Sequence, residues 1–185
     1  MMALNHSNVT RWRESLHGDK VILRPFCPSD ITSIYVGWLN NPEVVRFSNQ
    51  RFQRHSAESS RQYLSTFIGS DNLFLGICDP ETHKMVGTLT VYRNVHHRTA
   101  DIGIMVGDIA TWGKGLGFDA FQTVTRALAS CGEVRKMTAG ALAANVGMVR
   151  IMQKAGFEWE ATREGQELIE GQPVDLVYYS KFCHA

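Results

Sequence analysis

Cysteine is scarce and widely spaced in this chain: Cys27, Cys78, Cys131 and Cys183 are the only four among 185 residues. No two of them form a C-x-x-C pair, so neither a zinc site nor a dithiol redox motif is written here. The expectation is free thiols in a reducing cytoplasm and no metal. No apolar run approaches the roughly 18 residues of a membrane span, so no membrane partner is expected. The opening MMALNHSNVTRWRE has no apolar core of the kind a secretory signal needs, and residues 1–17 read as a loose polar leader. Neither sign of charge is in excess, with 19 Lys and Arg against 18 Asp and Glu. A general electrostatic grip on nucleic acid is therefore not expected. Repeats, low-complexity stretches and linkers are also missing. Residues 18–185 thus read as one domain, long enough to bury about 70% of its unfolded surface.

What is present alternates between strand and helix patterns. Asp19 to Phe26 reads as a strand, and Ser29 as the cap of a helix through Leu39 with Ile31, Ile34, Tyr35 and Trp38 on one stripe. The segment from Asn40 to Ser56 is polar and aperiodic, with Arg46, Arg51, Arg54, Phe47 and Phe52. A helix from Ala57 to Ile68 follows. Asn72–Cys78, Lys84–Tyr92 and Ala100–Val106 are strand-like with short connections, which favours an antiparallel meander. Phe118 to Ala129 carries Phe118, Phe121, Val124 and Leu128 on one helical face. A strand from Arg135 to Leu142, a short helix from Asn145 to Lys154 and closing strands Phe157–Arg163 and Val174–Phe182 complete the chain. This order predicts an α+β fold: six to seven mainly antiparallel strands flanked by about four helices.

The chemistry is concentrated in Trp112-Gly113-Lys114-Gly115-Leu116-Gly117, between a strand and a strong helix. Alternating glycines let the backbone approach a ligand and turn several N–H groups into one concavity. The helix adds unpaired N–H groups and the positive end of its dipole, which suits a phosphate or pyrophosphate. A Walker loop is absent. Gly115 to Ala120 formally fits G-x-G-x-x-A, but a dinucleotide fingerprint belongs in a parallel βαβ unit with an acid ending the second strand. Here the acid at that spacing, Glu133, precedes the next strand.

Four stretches together resemble the GNAT superfamily of acyl-CoA-dependent N-acyltransferases. Trp112 to Gly117 is similar to its [QR]-x-x-G-x-[GA] signature, with Trp112 in place of Gln or Arg. Asn145 to Phe157 resembles its second block, N-x-x-S-x-x-x-x-x-K-x-G-F, with Met148 at the Ser position. Leu23-Arg24-Pro25 and Asp175-x-x-x-Tyr179-Ser180 match the opening and close. The W-G-K-G form resembles the branch holding ribosomal-protein N-terminal alanine acetyltransferases and bacterial small-amine acetyltransferases. Trp38-Leu-Asn-Asn-Pro-Glu-Val resembles the opening of enzymes that modify amino sugars or sugar nucleotides.

The resemblance implies acetyl-CoA as co-substrate, wedged in a V-shaped splay between the fourth and fifth strands, Asp101–Val106 and Arg135–Leu142. It places the Met105 and Val106 backbone along the pantetheine arm and the amides of Gly113, Lys114, Gly115, Leu116 and Gly117 around the pyrophosphate, with Trp112 opening the loop. Asn145 would bond the arm, and Lys154 would reach a CoA phosphate or stand solvated. The reaction needs a base for the ammonium and an acid for the thiolate. Asp101 is the carboxylate in the site strand, either base or edge charge; His96 and His97 lie at the adjacent bend. Many family members carry a tyrosine acid where this chain has Met152, which leaves Tyr178, Tyr179 or water. Trp38, Arg46, Phe47 and Arg51 stand where the family builds its acceptor wall, or else serve as core and solvated charge. The readings left open are transfer to a small-molecule amine such as an amino sugar, transfer to a protein N-terminus, or a non-catalytic acyl-CoA binding module. A homodimer is compatible with each.

Overall fold

The computed structural model describes Trp12 and residues 14–183. Its eight strands are β1 (Leu16–His17), β2 (Ile22–Pro25), β3 (Leu73–Cys78), β4 (Met85–Asn94), β5 (Thr99–Val106), β6 (Lys136–Leu142), β7 (Glu158–Ile169) and β8 (Gln172–Phe182). Four α-helices join them among the described residues: α1 (Ser33–Leu39), α2 (Ala57–Ser65), α3 (Leu116–Ser130) and α4 (Val146–Lys154). The strands form one sheet in the order β1-β2-β3-β4-β5-β6-β8-β7. Every neighbouring pair is antiparallel except β5–β6. That parallel pair needs a crossover, and α3 supplies it.

The sheet is larger than the six to seven strands expected, because β1 lies inside the stretch read as a leader. Leu16 and His17 pair with Leu23 and Ile22, and Trp12 is buried in the main core. Residues 1–11 and 13 of that leader lie outside the described residues. The first helix also starts later than expected. Asp30 turns back to Arg24 through two bonds of 2.7 Å and accepts from the Cys27 N–H at 2.8 Å. This closes a 3-10 turn over Pro28–Asp30. Thr32, not Ser29, then caps α1, accepting from the Tyr35 N–H at 3.2 Å. Ile34, expected on the inward stripe, is 66% exposed.

Successive residues of a strand face opposite sides, and the two faces hold different cores. One face carries α3 and α4. Phe121, Val124, Leu128 and Met152 are fully buried there against Leu89, Ile102 and Met137, each side chain contributing about 1.5–3 kcal/mol. The other face carries α1 and α2 over an aromatic cluster of Phe26, Tyr35, Phe67 and Phe74, with Met105 packed against it. The site lies where the sheet between these faces opens.

Candidate functional site

The opening is written in the register of β5 and β6. They pair only at Thr99–Lys136, Ala100–Met137 and Asp101–Thr138. Beyond Asp101, β5 pairs only with β4 through Val106, and beyond Thr138, β6 pairs only with β8. The ladder ends while both strands continue, leaving main-chain groups that need a partner other than sheet. This is the expected splay, at the ends that follow the chain direction. A cleft of about 940 Å3 passes through it, with Ile102, Gly103, Ile104, Met105 and Val106 on one wall and Gly140 and Ala141 on the other.

At the far end of β5 the chain enters the glycine loop. Gly113 and Gly115 have φ of 76° and 85°, the left-handed region that favours glycine. Gly115 is the N-cap of α3. The first helical bond runs from the Asp119 N–H to the Gly115 carbonyl, so the amides of Leu116, Gly117 and Phe118 have no helical partner. A Cβ on Gly117 would stand 3.3 Å from both Ile151 and Val106, which explains why α3 approaches the cleft so closely. Trp112 donates its indole N–H to the Val106 carbonyl at 2.9 Å, tying the loop to β5. That carbonyl is therefore engaged, although the neighbouring edge is open. Gly113, Gly115, Leu116 and Gly117 line the cleft, whereas Lys114 is exposed outside its wall.

Sequence reasoning missed Lys20. The Asp119 carboxylate, 6% exposed in α3, accepts from the main-chain N–H groups of Asp19, Lys20 and Val21 at 3.2, 2.7 and 3.1 Å. These bonds hold the β1–β2 turn against the loop. The Lys20 ammonium consequently donates to the Lys114 carbonyl at 3.0 Å and lies 3.4 Å from where a Gly115 Cβ would be. Only the fold brings this cation to the glycines.

On the α4 side, Asn145 caps the helix by accepting from the Met148 N–H at 3.1 Å, which leaves its NH2 group for a ligand. Asn145, Arg150 and Lys154 all line the cleft; Arg150 carries no motif signal and was not expected. Met152 is fully buried. Tyr179 is 8% exposed in the core, its hydroxyl accepting from Gln153 at 3.3 Å, and it is outside the cleft wall.

The opposite mouth is built from Tyr35, Leu39, Phe47, Tyr63, Phe74, Thr88 and Thr90, with Glu43 and Arg46. Tyr63 on α2 and Tyr92 on β4 share a hydroxyl–hydroxyl bond of 2.6 Å. Burial, then this bond, raises the Tyr63 pKa, so the phenol stays neutral. Tyr92 is the cross-strand partner of Asp101. Asp101 closes the apex of the splay, accepting from the Thr138 hydroxyl at 2.6 Å. Asp101 is exposed by surface area and lies just outside the cleft wall, yet desolvation by surrounding protein atoms raises its pKa, and the Thr138 bond opposes the rise. Glu43 is the one carboxylate in the cleft wall among the described residues.

The other expected residues divide. Arg46 and Phe47 line the cleft, the guanidinium 5.2 Å from the ring centroid. Arg51 does not; it donates to the Leu168 carbonyl at 3.0 Å and pairs with Glu167 at 3.6 Å. Trp38 is also outside the cleft, lying flat against Gly107, where a Cβ would come within 2.1 Å of its ring. His96 and His97 are exposed in the β4–β5 turn, away from the cleft wall. Among the described residues no group of three or more His, Cys, Asp or Glu is placed to hold a metal. No described helix is long and apolar enough to cross a membrane.

The chain is similar to several known proteins. Over 164 residues the chain is 23% identical to an uncharacterized protein of Methanocaldococcus jannaschii, covering 87% of this chain and about a third (32%) of that relative's length. It superposes on the ribosomal L7/L12 alpha-N-protein acetyltransferase RimL in complex with coenzyme A at a TM-score of 0.78, with 17% identity over 91% of this chain and 98% of that one. The TM-score is also 0.78 against spermidine N-acetyltransferase from Vibrio cholerae in complex with CoA and spermine, with 16% identity over 89% of this chain and 96% of that one. Residues 20–158 match the model of the acetyltransferase (GNAT) domain, which spans the splay, the glycine loop and the Asn145 helix, and the chain belongs to that family.

Proposed function

We propose that this chain transfers an acetyl group from acetyl-CoA to the primary amine of a small acceptor, in a ternary complex formed across the splayed sheet. The observation that carries this reading is the end of the β5–β6 ladder at Asp101–Thr138, with the glycine loop at the far end of the gap. The residues fit the co-substrate. The unpaired β5 edge suits the amides of a pantetheine arm. The open N–H groups of the Gly113–Gly117 loop suit a pyrophosphate, with Lys20, Arg150 and Lys154 as cations around it. Acetyl-CoA supplies the activated acetyl group when bound.

The chain's own residues then prepare the acceptor. Asp101 takes the ammonium proton, directly or through a water, and its raised pKa brings it nearer to the working pH than an ordinary carboxylate. Tyr63, held by Tyr92, presents a neutral hydroxyl to the amine from the α2 side. The amine attacks the thioester carbonyl, the C–N bond forms and the C–S bond breaks; the nitrogen sheds its second proton, and the CoA thiolate takes up a proton through water and leaves as the thiol. Holding both reactants in one cleft contributes several kcal/mol through effective molarity. An acceptor of the amino-sugar or sugar-nucleotide class agrees with an aromatic mouth bearing Arg46. The test is thiol release from acetyl-CoA with a panel of amino sugars, sugar nucleotides, polyamines and N-terminal peptides. Amine-dependent release with a sugar amine leading supports the proposal; a peptide leading transfers the acceptor to protein N-termini; CoA binding without release from any amine leaves a binding module.

A further inference from the structure

Beside the acceptor mouth lies a second cavity that the chemistry above does not use. It has a volume of about 710 Å3, within the range of small-molecule sites. One side is the segment between α1 and α2, with Asn40, Arg46, Arg51, Arg54 and His55; the other is the β7–β8 hairpin tip, with Ile169 and Glu170. Both sides are tied. The Asn40 side chain donates to the His55 carbonyl and accepts from the His55 N–H, each at 2.9 Å, closing the segment on itself. Arg51 fastens the segment to the hairpin through the Leu168 carbonyl and Glu167.

The charge in this cavity is unbalanced. Glu167 matches Arg51. Among the described residues Glu170 is the only carboxylate in the wall, and Arg46 and Arg54 make no ion pair. The cavity adjoins the acceptor mouth: Leu39 and Arg46 belong to both walls.

We propose that this side cavity is a phosphate subsite for the acceptor. The amine end lies in the splay beneath Tyr63, the body passes Leu39, and a phosphate or diphosphate tail is held by Arg46 and Arg54. Two unmatched guanidiniums present fixed forks to a tetrahedral dianion, which they bind better than a lone carboxylate. The assignment rests on the acetyltransferase reading for its amine end and on the side cavity for its anionic end.

The experiment uses the full chain saturated with CoA, so that the glycine loop is filled, and inorganic pyrophosphate as the probe in titration calorimetry. One equivalent should bind, and Arg54→Gln should weaken it at least about tenfold while CoA affinity is unchanged. Pyrophosphate should also inhibit acetyl transfer competitively against the amine and not against acetyl-CoA. No binding to the CoA-loaded protein overturns the proposal. Equal affinity in a folded Arg54→Gln variant overturns it, as does inhibition that ignores the amine or an acidic peptide that binds where pyrophosphate does not. Failure of the acetyltransferase reading appears separately, as absent CoA binding before pyrophosphate is added, or as CoA binding with no thiol release from any amine.

Discussion

Asp101 and Thr138 face each other across the last rung of the β5–β6 pair, their side chains joined at 2.6 Å. One step further the strands part. The hydroxyl orients the carboxylate at the last rung before the splay, outside the cleft wall, while desolvation by surrounding protein atoms raises its pKa. If Asp101 is the base, Asp101→Asn lowers kcat by about 10²–10⁴-fold and removes the ascending limb of the pH–rate profile. Loss of that limb in Glu43→Gln instead would move the role to Glu43.

The same shift has a stability consequence of definite sign. A carboxyl whose pKa is higher in the folded than in the unfolded state favours folding in its protonated form. Its contribution is fully present below the unfolded value, about 3.9, and is lost as the pH rises through the folded value. Asp101→Asn should therefore be more stable than wild type at neutral pH, and the difference should vanish in acid. Denaturant titrations at pH 3 and pH 7 check this.

Gly115 is required for its backbone rather than for space. Its φ is 85°, and a Cβ there would make only an ordinary 3.4 Å contact with Lys20. Gly115→Val forces a β-branched residue into the left-handed region, costing on the order of 1–3 kcal/mol. The strain reshapes the cap of α3 and should weaken CoA binding at least about tenfold. Equilibrium dialysis of CoA against the folded variant decides it.

Lys20 should read the phosphate half of the co-substrate alone. Lys20→Met is expected to raise the KM for acetyl-CoA about five- to tenfold and to leave acetyl-pantetheine unchanged, since a charge-assisted bond contributes roughly 1.5–3 kcal/mol and this one is exposed. Equal losses with both thioesters would mean that Lys20 acts only by holding the loop.

Trp38 packs on Gly107 instead of lining the acceptor mouth. Trp38→Ala should cost about 2–4 kcal/mol in chemical denaturation, with the ranking of acceptor amines preserved. A changed ranking at unchanged stability would return Trp38 to the acceptor wall.

The parts legible in the sequence are those whose signal is local. The apolar stripe of α3 and the glycines before it are read within a few residues, and the short connections from β3 to β5 announce the meander. The splay was expected only through the family resemblance. What escaped depends on contacts between distant segments. Asp119 looks like one more polar residue on a helix until it meets the β1–β2 turn some hundred residues away. Arg51 reads as a free cation because its partners, Glu167 and Leu168, are over a hundred residues distant. Tyr63 and Tyr92 meet only because α2 packs over β4. The cap read at Ser29 falls at Thr32 instead, because the closure of Asp30 onto Arg24 has no periodicity to announce it.

The most direct test of the account is where acetyl-CoA touches the backbone. Amide chemical shifts followed by NMR during a titration should move at Ile104–Val106, at Gly113–Phe118 and at Asn145, and remain still at Arg54 and His55 in the side cavity. Saturable binding whose shifts avoid both the β5 edge and the glycine loop would contradict it.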